Sequence, residues 1–161
     1  MPIPSPYRTL PVDRRIALLT HAMNATREAR AHYVQRLADR PGGFRAVTLK
    51  TWPVDRLARE VVRLNAESPH DELDLLQLLY VDLDPSIQST FLDAAGVSHD
   101  AGSIDEQLKP PYADAETVRG AAAVVQDRHG DDGARYLRTL ARYNPAAWPG
   151  IEALVADDHA R

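Results

Sequence analysis

The chain has 161 residues, 44% apolar and 26% charged, which suits one globular domain large enough to bury a sizeable core without staples. It has no cysteine, which excludes disulfides, thiolate catalysis and Cys-ligated zinc or iron–sulfur centres. Its net charge of −4 hides two opposed parts: residues 1–65 hold twelve Arg or Lys against five Asp or Glu, residues 66–161 seven against eighteen.

The first segment, MPIPSPYRTLP, has no basic stretch followed by an apolar one, so it does not read as a signal peptide. No apolar run approaches the roughly 20 residues needed to cross a bilayer, and a cytoplasmic location is the expectation. Residues 1–11 are expected to be an N-terminal extension, 12–156 a single helical domain, and 157–161 a C-terminal tail.

PVDR occurs at 11–14 and again at 53–56, each time just before an apolar-periodic run. Proline suits the first turn of a helix, and the aspartate after it complements the positive end of the helix dipole. The first helix is predicted over 12–40, with Ile16, Leu19, Met23, Tyr33, Val34 and Leu37 on one stripe and His21, Glu28, His32 and Gln35 opposite. Arg40-Pro41-Gly42-Gly43 ends it, and Phe44–Thr51 fits either a short helix or an extended piece. In the helix predicted over 54–65, Val54, Leu57, Val61 and Leu64 face inward while Arg56, Arg59 and Arg63 line the other side. Trp52, before Pro53, is placed to act as that helix's hydrophobic staple.

Ser68-Pro69 opens the next helix, HDELDLLQLLYVDLDP from 70 to 85, which holds five acidic residues and no Arg or Lys. Leu76, Leu79, Tyr80 and Leu83 are expected to be buried, and Asp74 and Asp82 at least partly wet. Asp71, Asp74, Gln77 and Asp82 are expected on the acidic outer side, interrupted by Leu78 and Val81, as in a central helix touched from several directions. Asp84-Pro85 reads as an N-cap and N1 proline leading a helix through Ile87, Phe91 and Leu92 to Gly96. Residues 98–112 are expected to be irregular, with a single capped turn at Ser103-Ile-Asp-Glu. Helices follow at 115–129 and 132–144, separated near Gly130, and Asn144-Pro145 is expected to start a last helix containing Trp148, Ile151, Leu154 and Val155. The predicted fold is all-α, a single compact orthogonal array or bundle of about six to eight helices.

No residue pattern specifies chemistry. Asp71 and Asp74 lie one turn apart, but the calcium-loop pattern is absent and each acid has a local explanation at a helix start or cap. His21 and His32 are about 16 Å apart along a continuous helix and cannot share an ion, and neither the diiron signature of Glu-x-x-His on two helices nor His-Glu-x-x-His occurs. There is no G-x-S-x-G elbow, and His129-Gly-Asp-Asp-Gly lacks the lysine and hydroxyl of a phosphate loop. No cofactor, metal or catalytic residue is assigned.

The leading expectation is a non-catalytic protein-interaction domain with a charge-polarised surface, engaging a protein partner or self-associating as a dimer. Its candidate contacts are Arg45, Lys50, Trp52, Arg56, Arg59 and Arg63 on the basic side, with Leu78, Val81, Asp74 and Asp82 on the acidic one. Nucleic-acid binding through the basic 45–63 face is one alternative, and a small enzyme or metal-binding helical protein is another. A second arginine row, at 128, 135, 138 and 142, is expected to pair internally or at a charged subunit interface.

Overall fold

Each PVDR segment begins a helix in the computed structural model, which describes residues 3–159. Helix α1 is Val12–Ala25 and α4 is Val54–Leu64. Pro11 and Pro53 precede the first helical residue rather than occupying it, with ψ of 150° and 151°, while Asp13 and Asp55 lie in the first turns. The described chain is all-α apart from a hairpin of two two-residue strands, and eight α-helices are found among the described residues. No described helix is long and apolar enough to cross a membrane. The chain divides into two compact units, one spanning Leu10–Leu78 and the other combining the segment up to Thr9 with the chain from Leu79 onward.

In the Leu10–Leu78 unit the single helix expected over 12–40 is broken. Thr26 has extended backbone (φ −142°, ψ 150°) and its hydroxyl accepts a 3.0 Å hydrogen bond from the Ala29 N–H, capping a second helix, α2, at Arg27–Ala38. A threonine that offers its own side chain to the backbone competes with helix continuation. The ambiguous stretch after Gly43 contains a single turn, α3 (Ala46–Leu49), and α5 is Pro69–Leu78. Helix α1 packs against α4, α2 and α5, around a core that includes Leu19, Leu57, Val61 and Leu76.

In the other unit a π-helical turn, Leu79–Leu83, precedes α6 (Pro85–Ala94). The turn carries one residue too many for α-geometry, closed by a 2.7 Å bond from the Asp84 N–H to the Leu79 carbonyl. Leu79 and Tyr80 are buried as expected, but Leu83 is 43% exposed, because the extra residue rotates it out of the buried stripe. Asp84 stands in the predicted cap position but accepts from the Ser86 hydroxyl, at 2.7 Å, rather than from a backbone N–H. Within 98–112, where one capped turn was expected, β1 (His99–Asp100) and β2 (Ser103–Ile104) form an antiparallel hairpin, leaving Ser103 in a strand.

Helix α7 spans Ala115–Tyr143 and is kinked at Gly130, whose φ of 55° and ψ of −129° only glycine adopts readily, so the break expected there is present. The last helix starts later than expected: Pro145–Ala147 is a separate 3-10 turn, and α8 is Ile151–His159. Trp148 therefore lies between the two, buried against Phe91 and Tyr112. Of the expected extension and tail, residues 1–2 and 160–161 lie outside the described residues. Tyr7 in the extension is fully buried, and residues 157–159 belong to α8.

Candidate functional site

The break at Thr26 opens an apolar-floored groove of about 460 Å³ in the Leu10–Leu78 unit. Its floor combines Ala22, Ala25 and Ala29 from either side of the break with Leu75 and Leu78 of α5. Three alanines in succession along one wall leave room that larger side chains would fill. The rim is polar: Glu28 and His32 stand on α2, and His70, Asp71 and Asp74 on α5.

One rim carboxylate is neither wet nor available. Asp71, expected on an acidic outer side, is 3% exposed, and Glu72 beside it is also buried. Asp71 accepts from the Ser68 N–H at 2.9 Å, from Arg36 Nε at 3.1 Å and from His32 Nε2 at 2.6 Å. The Ser68 hydroxyl in turn accepts from the Asp71 N–H at 3.1 Å, completing a reciprocal capping box at the start of α5. Burial is the largest influence on the Asp71 carboxyl and pushes it up. The bonds from Ser68, His32 and Arg36 together outweigh burial and hold it below the usual carboxylate range.

A carboxylate only accepts, so His32 Nε2 carries the proton in this pair. Such an orienting acid behind a histidine also occurs in general-base sites, but here Arg36 shares the acid, and the groove's two hydroxyls are poor nucleophiles. Thr26 is engaged as a cap, and the Tyr33 phenol is pushed far above its ordinary value by burial and then by Asp71, Glu67 and Asp74, against a smaller opposing effect of Arg36. Both Asp71 oxygens are occupied, His70 lies 3.4 Å from Asp74, and no three His, Asp or Glu side chains gather as a metal set among the described residues.

The ten residues singled out from sequence are dispersed. Asp74 and Leu78 line the groove, Asp74 exposed and Leu78 half-buried. Val81 (58% exposed) and Asp82 are exposed on the π-turn of the other unit. On the basic side, Trp52 is buried, with the Arg56 guanidinium stacked 3.7 Å from its ring centre and Phe44 edge-on at 4.9 Å. Arg59 faces Asp55 at 3.9 Å, and Arg63 grips Glu60 through two nitrogens, drawing its carboxyl below the usual range. Arg45 and Lys50 are exposed without an ion-pair partner among the described residues, next to Phe44 (50% exposed) and Val47 (77%). In the second arginine row, Arg135 is buried, bonded to Asp132 at 2.6 Å and to the Thr9 hydroxyl at 3.0 Å, and Arg142 donates to the Ile3 carbonyl.

Sequence reasoning noticed Glu28, His32, Asp71 and Asp74 but did not bring them together. The overlooked signals are the mid-helix threonine at 26 and the S-x-x-D spacing of Ser68 and Asp71. Comparison with protein-family models, curated proteins and solved structures finds no match for this chain.

Proposed function

We propose that this chain is a non-catalytic protein-interaction domain that seats an apolar segment with basic flanks, supplied by a protein partner, in the groove between α2 and α5. The observation that carries this reading is the pairing of an alanine–leucine floor with exposed carboxylates, Glu28 and Asp74, on the rim. Helix-in-groove recognition uses this division of labour, with apolar anchors supplying affinity and rim charges supplying orientation and on-rate. The buried Asp71 network fixes α5 against α2, so the groove is held open before a partner arrives.

Nucleic-acid binding through residues 45–63 is the weaker reading. Two of the arginines there are matched by carboxylates, and the buried Trp52, with Arg56 stacked on it, offers little face to a base. A fluorescent leucine–lysine amphipathic helix, followed by anisotropy, is expected to bind, and Ala25→Trp, which fills the floor, to weaken it at least about tenfold. Equal binding by Ala25→Trp would remove the groove from consideration. A mixed-sequence duplex shifted at low salt, with loss on replacing Arg56, Arg59 and Arg63 by alanine, would instead favour nucleic acid.

A further inference from the structure

Within the Leu10–Leu78 unit, the corner at residues 44–50 carries the chemistry that the groove selects for. Phe44 and Val47 project apolar surface at 50% and 77% exposure, and Arg45 and Lys50 flank them with charges that no described carboxylate neutralises. The groove offers the converse: an alanine–leucine floor with Glu28 and Asp74 exposed at its edge.

We infer that the occupant of the groove is the Phe44–Lys50 corner of a second copy of this chain. This deepens the groove reading and rests on it. Phe44 and Val47 enter the apolar floor, while Arg45 and Lys50 face Glu28 and Asp74. The docking joins two different patches, so reciprocal engagement closes a two-fold pair, and one-way engagement extends into an open chain. The charged part is screened over about 8 Å at physiological salt, so association weakens as salt rises, while the apolar contact persists.

A charge swap tests this directly, because all four charged residues are exposed and their replacement leaves the core intact. Arg45→Glu with Lys50→Glu makes the corner acidic, and Glu28→Arg with Asp74→Arg makes the groove basic. In sedimentation experiments, the wild type is expected to self-associate with concentration. Each swapped variant alone should lose at least about tenfold in affinity, and an equimolar mixture should recover it, since each altered surface then meets its complement. Val47→Ser should remove the association that survives high salt. A wild type that stays monomeric at low salt and high concentration overturns self-docking, as does a mixture that fails to recover. If the leucine–lysine helix still binds in an Ala25-dependent way, only the identity of the occupant is lost. If it does not, the groove reading falls as well.

Discussion

Asp71 gathers more of the fold's polar bonding than any other carboxylate described above, although its sequence position suggests no more than an acid at a helix start. It closes the capping box of α5 and joins that helix to His32 and Arg36 on α2, which lie 39 and 35 residues earlier. Local spacing makes the helix start legible, but burial comes from partners whose distance along the chain hides them. Asp71→Ala removes the N3 acceptor and leaves Arg36 and His32 without the carboxylate that ties them to α5. It should cost about 2–4 kcal/mol in urea melts near neutral pH. The folded carboxyl is held below its unfolded value, so its stabilisation is complete above about pH 4 and is lost as pH falls through the folded value. The difference between wild type and Asp71→Ala should therefore shrink on acidification below about pH 4. A difference that stays constant from neutral to acid pH would mean that the carboxylate's charge contributes nothing to the fold.

Apolar periodicity located most helices correctly and failed where the backbone departs from α-geometry. The stripe Ile16, Leu19, Met23 and Tyr33, Val34, Leu37 reads as one helix because the break at Thr26 keeps both halves packed inward, and only Ile16 is more than slightly exposed. The π-turn has the opposite effect, since its extra residue moves Leu83 outward while Leu79 remains 8% exposed. Two otherwise identical truncations should therefore differ. Leu79→Ala should cost about 2–4 kcal/mol through lost burial and a residual cavity, and Leu83→Ala about 0.5 kcal/mol or less. Equal costs in denaturant melts would restore the uninterrupted helix. The kink in α7 brings a second constraint: a Cβ on Gly133 would stand 2.5 Å from the Val125 carbonyl, so Gly133→Ala should destabilise by about 1–3 kcal/mol even though alanine is the better helix former. Gly130 is visible in the sequence as a stop, but the close approach at Gly133 is not, because it exists only once the kink has folded the helix back on itself.

At the scale of the whole chain, helical class and helix number followed from composition and periodicity, whereas the division into two compact units left no trace in the sequence. The reason lies at the boundary between Leu78 and Leu79, which is not a loop: α5 passes into the π-turn with no Gly, Pro or Ser linker to mark it. Each unit has its own apolar core, one containing Leu19, Leu57 and Val61, the other Phe91, Leu137 and Ile151. Helix formation is cooperative along a continuous backbone, so a boundary inside a helical segment favours joint melting of the residues on either side of it. Residues 12–156 are accordingly proposed to unfold as one cooperative domain. The two tryptophans give a direct test, since Trp52 belongs to one unit and Trp148 to the other, at 7% and 2% exposure. In Trp148→Phe only Trp52 reports, and in Trp52→Phe only Trp148. In each variant the fluorescence transition in urea should coincide with that variant's own far-ultraviolet circular dichroism. Fluorescence that leads or trails the dichroism in either variant, or a dichroism curve with two steps, would show that the units melt separately. The mutational costs given above would then belong to one unit rather than to the chain.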